Sequence, residues 1–407
     1  MGNLLSTPEP ADWIPIPIPR EDCCTVSLFR SAGGTSKSGK SGRSSAKNSK
    51  SQSLKPSEKP SENGLENEEG DGYNGEYEPE WRNDLCGLEE IPGAVPWEGP
   101  QRIKTCQLDE PTQARFRAIL DHEIAEVVHA VMPLLRSEPM LIEDVPFDIS
   151  IVGDLHGQFY DLYRLFKSDE KNGKPGWECM KYLFLGDYVD RGRQSIEVVM
   201  ALFIIKCLHP DQIFLLRGNH EFYKINKKYG LLYDFNDRYV DFDTARTLYI
   251  MFNEAFCWLS IAAIVGNIYF CSHGGISTSG FTRRHMRGLY KPVYFSNEDK
   301  LIQDITWSDP APGLRGSAFN KGRGTSIYFG FDELCKALAS MEVVAIFRGH
   351  MKQKEGYDIA WNVCFTIFTA TNYEGEGSNG AVAYVGPTGK VEMSILEVDP
   401  IREFLPD

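Results

Sequence analysis

Five short segments each end a run of strand-forming residues in a Gly-containing turn that carries Asp, Asn or His. They are ISIVGDLHG (149–157), KYLFLGDYVDRG (181–192), QIFLLRGNHE (212–221), NIYFCSHGG (267–275) and VVAIFRGH (343–350). Four or five apolar, often β-branched residues in succession read as a buried strand. In open α/β sheets, ligands gather at the carboxyl ends of the strands. Five such ends converging would place Asp154, His156, Asp187, Asn219, His273 and His350 around one point. That arrangement is a two-metal site.

The donor chemistry agrees. Carboxylate and amide oxygens with imidazole nitrogens, and no Cys among them, suit divalent Mn, Fe or Zn. One carboxylate shared by two cations can hold them roughly 3.5–4 Å apart, the spacing that clamps an in-line displacement at phosphorus.

In this order, GDLHGQ, GDYVDRG, RGNHE and HGG resemble the PPP family of metal-dependent serine/threonine phosphoprotein phosphatases, part of the metallophosphoesterase superfamily. ITWSDP (305–310), GRGTSIYFG (322–330), RGHMKQKEGY (348–357) and TATNYEGE (369–376) are similar to the family's later motifs. The resemblance covers about residues 105–400. It implies an α/β fold in which two mixed β-sheets pack face to face with helices outside. It also implies roles. Asp154 and His156 would bind a first metal ion, Asp187 would bridge, and Asn219, His273 and His350 would bind the second. A hydroxide held between the ions would attack phosphorus. His220 would protonate the leaving oxygen, oriented by Asp190, and histidine titrates in the range such an acid needs. Arg191 and Arg323 would hold phosphate oxygens in bidentate fashion, with Tyr373 beside them. The implied partners are phosphoprotein substrates and regulatory subunits, since related phosphatases accept extended peptides at a sheet edge.

The chain departs from the family pattern at Thr278, Gly349 and Thr371, where Pro, Ala and Pro are usual. Glu374 and Glu376 fall in the loop that the resemblance places at the pocket. Two carboxylates there would repel acidic phosphopeptides and favour neutral or basic ones. Two other functions stay open: a nucleotide or nucleic-acid metallophosphoesterase, and a non-catalytic scaffold on a phosphatase fold.

The first hundred residues read differently. ADWIPIPIPR (11–20) alternates Ile and Pro, which favours extended polyproline-type chain. Residues 30–55 hold seven Lys or Arg and no acid, whereas residues 58–84 hold ten Asp or Glu against two basic residues. Such blocks predict a disordered tail over 1–100 and a catalytic domain over 101–407. The domain would begin with a helix from about Pro111 to Leu135, where Phe116, Ile119, Leu120, Ile124, Val127 and Val128 recur near helical spacing. MGNLLS fits the N-myristoylation pattern. With the polybasic stretch, or with acylation of Cys23 or Cys24, it predicts a peripheral anchor on an anionic membrane surface, because one acyl chain alone binds marginally.

A formal charge of −14 argues against bulk nucleic-acid binding. Ten scattered Cys without a CxxC pair point to a reducing, cytoplasmic compartment. No apolar run approaches the ~20 residues a spanning helix needs.

Overall fold

The computed structural model describes the backbone of residues 25–26 and 110–398, and the side chains of residues 123–398. The acylation pattern and the polyproline-type, polybasic and acidic segments lie outside the described residues. Strand β1 (Thr25–Val26) pairs antiparallel with a strand of the domain, β15 (Val391–Leu396).

Helix α1 (Glu110–Ser137) matches the expected opening helix. Ile124, Val128, Val131 and Leu135 are buried at helical spacing. The side chains of Phe116, Ile119 and Leu120 lie outside the described ones.

Strands β2 (Leu141–Val145), β3 (Ile149–Val152), β4 (Lys181–Phe184), β5 (Ile213–Leu215), β6 (Ala262–Val265) and β7 (Tyr269–Ser272) come from the first half of the domain. Strands β11 (Ala345–Arg348), β12 (Tyr357–Ala360), β13 (Cys364–Ile367) and β14 (Gly380–Val385) precede β15. They form two six-stranded mixed sheets, ordered β1-β15-β14-β3-β4-β5 and β12-β13-β11-β7-β6-β2. The five motif strands are therefore divided, three in one sheet and two in the other. Between them, strands β8 (Asp309–Pro310), β9 (Ser317–Phe319) and β10 (Ile327–Phe329) make a small third sheet, ordered β8-β10-β9, that motif reading did not indicate.

The two large sheets face each other across one apolar layer. Ile149, Ile151, Leu183 and Val385 meet Tyr269, Cys271, Ala345, Phe347 and Phe365 there. Helices α4 (Ser195–Leu208) and α7 (Phe242–Phe256) join α1 on the outer face of the first sheet. Helices α9 (Lys300–Trp307) and α10 (Phe331–Met341) cover the second. Because both faces are covered, the motif strands are buried at nearly every residue, which is why they read as continuous apolar runs. The same layering shapes β15: Val391 and Met393 face inward, Ile395 is only half-buried, and Leu396 packs into the helix layer.

The sheets are tied where the motif strands end. Asp154, just past β3, bridges to Phe368, just past β13, and Leu216, past β5, bridges to Ser260, before β6. The remaining helices are short: α2 (Phe159–Ser168), α3 (Gly176–Cys179), α5 (Tyr223–Tyr229), α6 (Leu231–Arg238) and α8 (Arg283–Arg287). No helix among the described residues is long and apolar enough to cross a membrane.

Candidate metal centre and active site

All eleven candidate residues meet at this junction. Asp154 and His156 follow β3, Asp187 to Arg191 follow β4, Asn219 and His220 follow β5, His273 follows β7 and His350 follows β11. Two groups of buried ligand atoms share Asp187, one with His156 and His220 and one with His273 and His350. In the second group, His273 Nε2 lies 3.1 Å from Asp187 Oδ2, 2.8 Å from Asn219 Oδ1 and 3.2 Å from His350 Nδ1. On the other side, His156 Nε2 is 3.7 Å from both Asp154 Oδ2 and Asp187 Oδ2.

The backbone is bent to achieve this. His156, Asp187, Asp190, Arg191 and His350 all take positive φ, a conformation that costs a non-Gly residue energy and clusters at functional sites. Two glycines permit the close approach. A Cβ at Gly218 would sit 2.2 Å from Asp187 Oδ1, and one at Gly349 would sit 2.3 Å from Asp154 Oδ1. Gly349, where the family pattern has Ala, is thus packed directly against a candidate ligand.

The donor set fits cations. His350 Nδ1 faces His273 Nε2 at 3.2 Å, with Asn219 Oδ1 and Asp187 Oδ2 about the same His273 nitrogen, so several donor atoms crowd one point. Burial, and then the positive Arg323, keep His350 neutral by pushing its pKa well down. Burial and neighbouring His220 bring His156 down to about 3, so its ring presents a lone pair. His156 Nδ1 bonds the Val189 carbonyl at 2.9 Å, which leaves Nε2 to face the carboxylates. Burial pushes the Asp154 carboxyl up, against the pull of His273. Asp187 is equally buried, but His273 and His220 outweigh that burial and hold it well below the usual range.

His220 is set apart from the other imidazoles. Its Nδ1 bonds Asp190 Oδ2 at 2.6 Å, and its Nε2 is 3.9 Å from Asp187 Oδ2. Burial opposes its charge, yet Asp187 and Asp190 together raise it to about 9. A charged imidazole donates protons and does not ligate a cation. This separates His220 from His156, although both lie within ligand distance of Asp187. Asp190 is fixed in turn by the backbone N–H of Leu231, 2.8 Å away.

The phosphate-handling candidates ring the mouth. Arg191 lies with its guanidinium 4.7 Å over the Tyr229 ring, which is itself 5.5 Å from His220. Its Nη1 donates to Glu374 Oε1 at 2.9 Å. Arg323 donates through Nε to Asp309 and through Nη2 to the His350 carbonyl. The Tyr373 ring sits 5.1 Å from His156, and burial pushes its hydroxyl pKa up, so it stays protonated.

Motif reading gave no role to several supporting residues. Glu221, the last residue of RGNHE, accepts from the backbone N–H groups of Asp187, Tyr188 and Gly218 at 2.7–2.8 Å and so shapes the turn that presents Asp187. Asp309 of WSDP ties together Arg323, Arg348 and Asn320. Thr371, where the pattern has Pro, has a physical reason: its N–H and hydroxyl both bond the buried Asp161, at 2.8 and 2.9 Å, and a Pro has no N–H to give.

Residues 147–353 match the calcineurin-like phosphoesterase family. Among solved structures, the chain is similar to a protein serine/threonine phosphatase from Saccharomyces cerevisiae described as similar to human phosphatase PP5. That match has 28% identity and a TM-score of 0.61, and covers 69% of this chain and 90% of that one. A cold-active protein-tyrosine phosphatase of a Shewanella species matches at 17% identity over 65% of this chain and 84% of its own, with a TM-score of 0.45. With the matched segment spanning just over half of its length, the chain belongs to the calcineurin-like phosphoesterase family.

Proposed function

We propose that this phosphoesterase is a protein serine/threonine phosphatase that hydrolyses phosphoserine and phosphothreonine using two divalent metal ions. The observation that carries the reading is a shared carboxylate, Asp187, between two ligand groups, with a charged His220–Asp190 couple beside it. Asp154, His156 and Asp187 would hold one ion, and Asp187, Asn219, His273 and His350 the other, a set suited to Mn, Fe or Zn. Two such ions supply a nucleophile from water at neutral pH and stabilise the charge of an in-line displacement.

The chain's own residues do the rest. His220, held charged by Asp190, carries the proton that the leaving serine or threonine oxygen needs. Arg191 and Arg323 offer planar donors to the phosphate oxygens. Tyr373 adds a neutral hydroxyl at the same rim. The likeness to the yeast serine/threonine phosphatase, together with the later motifs around Asp309, Arg323 and Tyr373, favours protein over nucleotide substrates.

The reading is tested by offering the Mn-loaded protein a phosphothreonine peptide and a nucleoside monophosphate. A protein phosphatase turns over the peptide with much the higher kcat/KM. Preference for the nucleotide, or no turnover of either, would contradict the proposal.

A further inference from the structure

One residue at the mouth acts against the chemistry that surrounds it. Glu374 lies on the loop 372–378, which is wound by positive φ at Asn372, Glu374, Gly375 and Gly377. The loop is closed by bonds from Asn372 N to the Ser378 carbonyl at 2.7 Å and from Gly377 N to Asn372 Oδ1 at 2.9 Å. It is held to the domain by two ion pairs. Glu376 bonds Lys352 at 2.6 Å, and Glu374 bonds Arg191 at 2.9 Å. The second pair matters because Arg191 is a phosphate ligand in the reading above. Its Nη1, a donor suited to a phosphate oxygen, is engaged by a carboxylate oxygen, while its buried Nε has no partner. The guanidinium rests on Tyr229, whose ring is 5.5 Å from His220, so Arg191 links the Glu374 carboxylate to the catalytic residues.

A carboxylate and a phosphate make the same charge-assisted, in-plane bonds to guanidinium. We propose that Glu374 is a specificity-determining residue that competes with the substrate phosphate for Arg191, and whose displaced carboxylate then meets a basic residue flanking the phosphorylated side chain. The inference rests on the proposed function, its first half on Arg191 as a phosphate ligand and its second half on a phosphoprotein substrate. The displacement is feasible. Arg191 and Glu374 are 30% and 43% exposed, and exposed pairs of this kind are weak. Beyond Glu374 the loop tip faces open space, since a Cβ at Gly375 or Gly377 would meet nothing within 4 Å. A freed Glu374 at a pocket already rich in Asp would repel an acidic flank and attract Lys or Arg.

The test compares the metal-loaded wild type, Glu374→Gln, Arg191→Ala and the double variant, with p-nitrophenyl phosphate as substrate and inorganic phosphate as inhibitor. Glu374→Gln is expected to lower the inhibition constant of phosphate about two- to five-fold, the range for an exposed ion pair, with kcat within two-fold of wild type. In the Arg191→Ala background, the same substitution is expected to change nothing. An unchanged or raised inhibition constant in Glu374→Gln overturns the proposal, because Glu374 would then merely brace Arg191. A shift of equal size without Arg191 overturns it too, as a general charge effect.

A pair of phosphothreonine peptides that differ by Arg or Glu next to the phosphosite reads the second half. The wild-type preference for the Arg peptide should shrink about three-fold in Glu374→Gln, as loss of one exposed ion pair requires, and a preference unchanged by the substitution overturns it. If neither peptide is turned over, the protein-phosphatase reading fails and the competition is decided by the phosphate measurement alone.

Discussion

At the scale of single residues, the site separates imidazoles by what holds their far nitrogen. His156 is anchored by a carbonyl and kept neutral, whereas His220 is anchored by a carboxylate and kept charged. His220→Asn is therefore expected to lower kcat by roughly 10²–10⁴, the usual contribution of a general acid, while elemental analysis finds the metal content unchanged. Metal loss in that variant would make His220 a ligand. The pH dependence has a definite sign. His220 is raised from an ordinary 6.5 to about 9, so the protonated form, and the activity that needs it, is present at lower pH and lost as pH rises through its pKa. Cations beside Asp187 would offset part of its pull, which places the alkaline limb between those two values. The six candidate ligands were legible in the sequence because each follows a strand end beside a Gly, whereas His220 and Asp190 were legible through the family resemblance. What pairs with them was not. Glu374 was visible as an extra charge near the pocket, but only the folded loop brings it onto Arg191, 183 positions away. Asp161, which explains Thr371, lies 210 positions from it.

At the scale of elements, the strands matter through the positions of their ends. Strand β11 delivers Arg348 and His350, and it is seated by Phe347. The Phe347 ring stacks on Phe365 with centroids 4.7 Å apart and meets Tyr269 edge-on at 5.3 Å. Phe347→Ala should cost about 3–5 kcal/mol of stability, as for other fully buried aromatic residues. It should also weaken metal retention, because the end of β11 loses its support. Denaturant unfolding and metal content measured together would check this, and a stability change below about 1 kcal/mol would show that the layer tolerates the cavity. The motif strands were readable since burial on both faces makes them uninterrupted apolar runs. Which sheet each joins was not readable, because that is fixed by pairings such as β11 with β7 and β13. The small sheet β8-β10-β9 was hidden for another reason: its strands are only two or three residues long, and β9 is exposed throughout.

At the scale of the whole molecule, two sheets joined at their carboxyl ends hold a buried cluster of negative charge. Asp154, Asp187, Asp190 and Glu221 are each at most 1% exposed, and burial drives Glu221 as well as Asp154 upward. Divalent ions would balance that charge. Where the catalytic unit works is a separate expectation, carried by MGNLLS and the basic stretch that follows it. Gly2→Ala should shift the protein from the membrane to the soluble fraction, and equal fractionation of variant and wild type would refute the anchor. The two-metal site itself is open to a single titration. Chelator-treated protein is supplied with Mn²⁺ in steps, and hydrolysis of a phosphothreonine peptide is followed. The site built around Asp187 predicts negligible turnover without metal and a rise that saturates at two ions per chain. Full turnover by the metal-free protein, or saturation at one ion, would contradict it.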